Sequence, residues 1–531
     1  MGHWSVFGRR VLLATAVFAL SACGQSEANS GANEAPAKET AKVVAPPPAN
    51  KIAWYEGSLD EALVASQESG KPVFLYWGAE WCPPCHLIKA TVFKSREFID
   101  RSRRFIPVYL DGDTDNAQAL GERFGVLGYP TMILLHPDGH EITRIPGSSD
   151  VTAYANALDV SLQANTAVGT LLSTLMDKRA PLTAAECGQL AYHSWGQDQT
   201  TLGERNPFAV HRAVYKACPA DAALPRSVAL MNYLSAANRD EDFLIPASEH
   251  GALRAELLAL TNNPAAVRAN MYSVLFDAAP LTEQLAPAGS PERATLAAAF
   301  DAVYEQVAAD DSVFMGDRLY TYAGKLAFER LHDPDAAPSP KLGVAIATAV
   351  GRADLATEDV YVRQSVMNTA NNVLVDAGML SLSRQLLTKE IGISKQPYYF
   401  MVGLADVAQE EGKTEEAIAW LKKAWEVTDG PATRFQWGNY YIAGLIDMTP
   451  TQIDTIRNTV LQVFDELAET KAFYQRPRRQ LASLKRRLNG WSETPGTAQA
   501  LATIRRRVSE VCATLPEDDA ARTTCESFLE A

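Results

Sequence analysis

The segment Trp81-Cys82-Pro83-Pro84-Cys85 constrains this chain more than any other stretch. It follows Pro72 to Trp77, a mostly apolar, aromatic-rich run of the kind that forms a buried strand. The two prolines then fall where the first turn of a helix tolerates them, and the helix is predicted to run on through Leu87 and Ile88. Two thiols would therefore stand one helical turn apart at a helix N-terminus. Unpaired backbone N–H groups and roughly half a positive charge at such a terminus favour a thiolate at Cys82. That thiolate can attack a partner's disulfide, and Cys85 can displace the reduced partner from the mixed disulfide. A zinc site would need four ligands, and neither His86 nor a second CxxC at usable spacing completes one. A permanent structural bridge gains less from so short a loop than from a long one. The segment reads as redox chemistry, with Cys82 as nucleophile and Cys85 as resolving thiol.

The flanking sequence alternates strands and helices, the pattern of an α/β unit. Ile52 to Tyr55 is predicted as a first strand, and Ser58 with Glu61 marks a capping box for a helix that Gly70 stops. Phe105 to Leu110 is the next strand, Ala117 to Phe124 a short helix, and Thr131 to His136 a further strand. Pro137-Asp138-Gly139 turns the chain into Glu141 to Ile145, and Val151 to Leu162 closes the unit as a helix. Gly128-Tyr129-Pro130-Thr131 lies immediately before the third of these strands.

Trp81-Cys82-Pro83-Pro84-Cys85 followed by Gly128-Tyr129-Pro130-Thr131 resembles the thioredoxin superfamily, whose members carry WCxxC and, opposite it, a cis-proline preceding a strand. The resemblance implies that residues 51–165 form an α/β thioredoxin-like domain, a central mixed sheet flanked by helices. It also implies that Pro130 is cis and sits against the two sulfurs. Trp81, Pro83, Pro84, Tyr129 and Thr131 would support a groove for an extended substrate segment. Lys71-Pro72-Val73, Ala79-Glu80-Trp81-Cys82, Thr91-Val92-Phe93 and Asp111 are further similar to the C-terminal periplasmic domain of DsbD-type reductant carriers and related thioredoxin-like lipoproteins. One position departs from the pattern. Many thioredoxins carry a buried aspartate six residues before the first cysteine, and Tyr76 stands there. A phenol is a poor base at neutral pH, so another group or water must take the Cys85 proton. Glu80 is a candidate by proximity, or simply a solvated acid; His86 could tune the thiolate when charged, or stand exposed without a role.

Residues 1–23 read as an export signal, with Arg9 and Arg10 before the apolar run Val11 to Leu20, too short to span a bilayer. Leu20-Ser21-Ala22-Cys23 resembles the lipobox of bacterial lipoproteins, which implies lipidation at Cys23. Gly24, where inner-membrane lipoproteins carry Asp, implies an outer-membrane anchor facing the periplasm. Residues 24–50, ending in Ala45-Pro46-Pro47-Pro48-Ala49, have no apolar periodicity and are expected to be a disordered tether. Export also sets the role of Cys187, Cys218, Cys512 and Cys525. In an oxidising compartment they suit structural disulfides, and of three pairings the economical one joins Cys187 to Cys218 and Cys512 to Cys525.

From residue 170 to 531 strand signals vanish and an all-α region is expected, with helices such as Pro291 to Ala309 and Arg363 to Ala377. Gly378, Ser383, Leu387 and Pro397 recur 34 residues later as Gly412, Ala417, Leu421 and Pro431. That period resembles the tetratricopeptide repeat across residues 360–470, a fold whose stacked helix pairs commonly present binding surfaces. A net charge of −14 argues against a nucleic-acid partner. Against that background Arg476, Arg478, Arg479, Lys485, Arg486, Arg487 and Arg505 to Arg507 form a basic stretch, expected to pair with neighbouring acids or to dock an acidic partner.

The expected function is thiol–disulfide exchange with protein thiols and disulfides in the periplasm, as reductase or isomerase supplied by a membrane electron donor of the DsbD type. Beyond the Cys82–Cys85 pair no cofactor or metal is implied. A different class of reading makes the protein an adaptor whose helical array binds partners while the thioredoxin-like domain docks.

Overall fold

The computed structural model describes residues 50–147, 150–164, 166–239, 244–470, 473 and 475–529. The expected signal segment, Cys23 and all of the expected tether but Asn50 lie outside the described residues. Ser58 accepts from the Glu61 N–H while the Glu61 carboxylate accepts from the Ser58 N–H, and this reciprocal cap starts helix α1 (Leu59–Ser69). Gly70 ends it in the left-handed region at φ 69°, a conformation open to a residue without a β-carbon.

The chain then runs through β1 (Val73–Gly78), α2 (Pro83–Ala90), α3 (Arg96–Arg101), β2 (Ile106–Asp111), α4 (Asp115–Arg123), β3 (Thr131–Leu135), β4 (Glu141–Ile145) and α5 (Val151–Ser161). The four strands form one mixed sheet in the order β2-β1-β3-β4. β1 pairs parallel to β2 and antiparallel to β3, and β3 pairs antiparallel to β4. All six β1 residues are buried, as a central strand covered on both faces requires. Phe74 and Tyr76 pack on one face with Phe98, Phe105, Met132 and Tyr154; Val73, Leu75 and Trp77 pack on the other with Leu59, Val108, Ala117 and Ile133.

Ile52 to Tyr55 does not form the expected strand. Tyr55 N–H reaches the Pro107 carbonyl at 2.8 Å, but Pro107 has no N–H to return, so no ladder propagates along that edge of β2.

From Val168 onward every described element is a helix. The core under α5 passes without a break into this region: Tyr154 and Leu158 belong to the same apolar cluster as Leu172, Leu190, Trp195, Val210 and residues as distant as Val313. Further cores follow along the chain, one around Leu342, Val366 and Leu404, another around Leu421, Ile442 and Val460. The residues that recur after 34 positions occupy matching places. Gly378 and Gly412 both adopt positive φ, Ser383 and Ala417 are both fully buried, and Pro397 and Pro431 each stand at the start of a helix, Tyr398–Glu410 and Pro431–Met448.

Candidate redox active site

β1 delivers the chain to Gly78, and Cys82 becomes the N-cap of α2, with the two prolines in the first turn. Cys82 and Cys85 are joined as a disulfide. The Cys85 N–H donates to the Cys82 sulfur at 3.2 Å, one of the orphan donors of the helix start. In the reduced protein the same donor and the helix dipole bear on the Cys82 thiolate. Both cysteines are buried, Cys82 at 2% exposure and Cys85 at 0%. Trp81 and Tyr129 pack against them.

The Tyr129–Pro130 peptide is cis. The Tyr129 ring lies 5.8 Å from that of Trp81 and its hydroxyl donates to the Gly112 carbonyl at 3.1 Å. A β-carbon on Gly112 would fall 2.3 Å from that ring, so the close approach needs glycine. Thr131 Oγ1 donates to the Gly128 carbonyl at 2.6 Å and closes the loop, while Trp81 Nε1 donates to the Asp113 carboxylate at 2.9 Å. Pro83 is buried and Pro84 exposed on the rim. The structure thus brings Trp81, Cys82, Pro83, Pro84, Cys85, Tyr129, Pro130 and Thr131 to one end of the sheet.

Tyr76 lies buried beneath α2 and points its hydroxyl at the Cys85 carbonyl, 3.5 Å away. Burial, with a smaller contribution from Tyr109, pushes its pKa far above the ordinary phenol value, so it remains a neutral donor. Glu80 is exposed, and among the described residues no hydrogen bond ties its carboxylate to either cysteine. His86 is not exposed: it is 7% accessible, stacks on Tyr361 at 4.2 Å, and its Nε2 meets the Glu80 carbonyl.

That stack shows what local sequence reasoning missed. Residues far along the chain reach both halves of the site. Gln197 Nε2 donates to the Pro130 carbonyl at 2.9 Å, and Gln396 Nε2 to the Glu80 carbonyl at 3.4 Å. Gln197 is itself held by β4, because the buried Arg144 donates to its carbonyl, to that of Phe124 at 2.5 Å, and to Glu141 at 2.8 Å. Beside it, His193 bridges Thr143 and Asp198, each at 3.0 Å. Burial alone would raise the Asp198 pKa, but hydrogen bonds from His193 and Thr201 outweigh it and hold the carboxyl well below the usual range. The helix Val360–Asp376 supplies Tyr361, and the helix Gln475–Trp491 lays Arg479 against Gly128. Arg144, Tyr361, Gln396 and Arg479 lie in stretches the sequence marked, but none of them was linked there to the redox site.

Much of that basic stretch is paired within the fold. Arg478 meets Glu122 at 3.7 Å, Arg487 meets Asp447 at 2.7 Å, Arg507 meets Asp465 at 2.8 Å, and Lys485 donates to the Ser527 carbonyl at 2.8 Å. The four remaining described cysteines are bonded as Cys187–Cys218 and Cys512–Cys525, all buried. At the exposed β3–β4 turn, at the other end of β3 from Pro130, His136, Asp138 and His140 place ligand atoms within 4.8 Å of one another and could hold a metal ion.

A family model for the thioredoxin-like domain matches residues 59–160, the span that carries the sheet, the disulfide and the cis-proline. These residues are a thioredoxin-like domain. The chain is 33% identical over 100 residues to the thiol:disulfide interchange protein DsbD of Pseudomonas fluorescens, covering 18% of this chain and 17% of that protein. It is 28% identical over 107 residues to nucleoredoxin of Bos taurus, covering 16% of this chain and 25% of that protein. Among solved structures, DsbH oxidoreductase matches at 20% identity with a TM-score of 0.20, covering 24% of this chain and 95% of that one. The chain spans a quarter or less of the length of these curated relatives, and the matches leave most of its helical region outside them. Among the described residues no helix is long and apolar enough to cross a membrane.

Proposed function

We propose that this protein is a periplasmic thiol–disulfide oxidoreductase, lipid-anchored at Cys23, that reduces or isomerises disulfides of protein substrates. The observation that carries the reading is Cys82 as the N-cap of α2, its sulfur facing the Cys85 N–H beside the cis-Pro130 loop. In the reduced protein the Cys82 thiolate attacks one sulfur of a substrate disulfide; a Cys82–substrate bond forms, the substrate S–S bond breaks, and the other substrate sulfur leaves as a thiolate. Cys85 gives up its proton to water and attacks Cys82, so that the substrate departs as a dithiol and the protein retains the Cys82–Cys85 disulfide. Two electrons have passed to the substrate. A membrane dithiol carrier of the DsbD class returns them by the reverse exchange.

Tyr76 cannot serve as the base, and its hydroxyl instead donates to the carbonyl of Cys85. The string Leu20-Ser21-Ala22-Cys23 supports the anchor, and the likeness to DsbD supports the compartment and the donor. The matched places of Gly378 with Gly412 and Ser383 with Ala417 support tetratricopeptide-like helix pairs around residues 360–470.

Trapping tests the reading. A full-length Cys85→Ala variant is expected to accumulate mixed disulfides through Cys82 in the cell envelope, resolved by mass spectrometry and absent from Cys82→Ala/Cys85→Ala. The reading fails if no adduct forms and the parent protein exchanges with no dithiol. The reduction potential of the intact chain sets the direction: a value near the thioredoxin range of about −270 mV supports reduction, and one near about −120 mV makes it an oxidase.

A further inference from the structure

The cis-proline loop has a cationic neighbour that no acid among the described residues pairs. Arg479 comes from the helix Gln475–Trp491, and its Nη2 lies 3.1 Å from the point where a Gly128 β-carbon would stand. Gly128 directly precedes Tyr129, whose ring packs on the disulfide. The guanidinium thus lies against the backbone that borders Cys82.

Its surroundings separate it from the other basic residues of the stretch. Arg478 and Arg487 on the same helix have acid partners, at 3.7 and 2.7 Å, whereas Arg479 has no hydrogen-bond or ion-pair partner among the described residues. Arg486, Arg505 and Arg506 also have none among the described residues and stand exposed, whereas Arg479 lies beside Gly128. Enough protein surrounds Arg479 for burial to lower its pKa, yet the residue remains accessible to a ligand. A cation held against protein without a counter-charge carries a desolvation cost that an incoming carboxylate would offset. Asp113 stands toward Trp81, engaged by the indole, and on the Arg479 side the acid Glu122 is met by the neighbouring Arg478 at 3.7 Å. Asp113 thus borders the site at Trp81 and the Arg479 guanidinium borders it at Gly128.

We infer that Arg479 is a specificity residue supplied by the helical region: it selects disulfide-bearing protein segments that carry an Asp or Glu side chain close to the reacting cysteine. The inference rests on the exchange reaction proposed above. In the mixed disulfide the substrate cysteine is bonded to Cys82, and the segment that follows the Gly128–Pro130 loop brings its carboxylate to the guanidinium. A β-carbon on Gly128 would stand 3.1 Å from that cation and crowd it slightly. The bond-making and bond-breaking steps are unchanged; Arg479 acts on which segment is held.

The test uses the reduced full-length protein and two disulfide-linked peptide substrates that differ only in carrying Glu or Gln on both sides of the cysteine. The Glu peptide is expected to be reduced about threefold to fivefold faster at low salt, the size of one partly exposed ion pair, with the ratio falling toward one as ionic strength screens it. In Arg479→Gln the two rates should converge, and Arg479→Lys should keep part of the preference. Equal rates in the parent protein, or a preference that persists in Arg479→Gln, overturn the inference while leaving the exchange reading intact. If neither peptide nor a small dithiol exchanges with the protein, the redox reading fails and the inference falls with it.

Discussion

The Tyr129 ring occupies the space that a side chain on Gly112 would fill, and this single absence lets the aromatic lie across the disulfide. Gly112→Ala should displace the ring and cost about 1–3 kcal/mol, read from denaturant midpoints, with slower exchange toward peptide disulfides in the same variant. Asp406 carries a different consequence. It is buried on the helix Tyr398–Glu410, and burial, reinforced by Glu410, raises its pKa to about 7. An unfolded carboxyl ionises near pH 4, so between about pH 4 and 7 the folded chain binds the extra proton and this site's contribution to stability declines as pH rises. Asp406→Asn should therefore be more stable than the parent by about 1–3 kcal/mol at pH 8, and the gap should close toward pH 4. At this scale the two cysteines and the prolines between them were legible from their spacing, whereas the cis Pro130 and the place of Tyr76 came from the resemblance to the thioredoxin superfamily. His86 was not legible: one histidine after a helix start carries no sign that Tyr361 will cover it.

Among elements, the helix Val360–Asp376 packs against α2, and it is fixed by a buried charge cluster. Arg363 Nε donates to Glu390 at 3.0 Å, Nη2 meets both Glu390 and Asp354, and Nη1 donates to the Asp354 and Thr357 carbonyls at 2.8 and 3.1 Å. The Glu390 side chain is only 2% accessible. Glu390→Ala leaves that guanidinium short of its main partner, and a loss of about 3–5 kcal/mol is expected in urea unfolding. The Tyr361–His86 stack belongs to the same helix, so the ring environment of His86, followed by NMR, should change with it. Helix and strand boundaries in the thioredoxin-like domain followed closely from caps, prolines and apolar runs, except for α3, which no such signal had marked. The overread element, Ile52 to Tyr55, had strand-like residues but faced a proline, and its failure is decided by a residue on another strand.

Across the whole molecule, the apolar core runs from Tyr154 and Leu158 into the helices after Val168 without a polar boundary. A fragment ending near residue 165 would expose this face, and it should bind a hydrophobic dye and aggregate where the intact chain does neither. The Cys187–Cys218 bridge closes a span of 31 residues inside that shared core, so Cys187→Ser/Cys218→Ser should cost about 3–4 kcal/mol in thermal or denaturant unfolding. Sequence patterns showed two kinds of structure in succession and marked the 34-residue recurrence, but not their union. Contacts such as Gln197 with Pro130 join residues 67 positions apart, and no local periodicity encodes them.

The amide of Gln197 has one further meaning. Because Arg144 secures its backbone and Pro130 receives its side chain, the loop beside the sulfurs and the first helices beyond the sheet share one mechanical joint. Heat should therefore silence dithiol turnover and melt helical circular dichroism in one cooperative event, with no temperature at which a working catalyst trails an unravelled array.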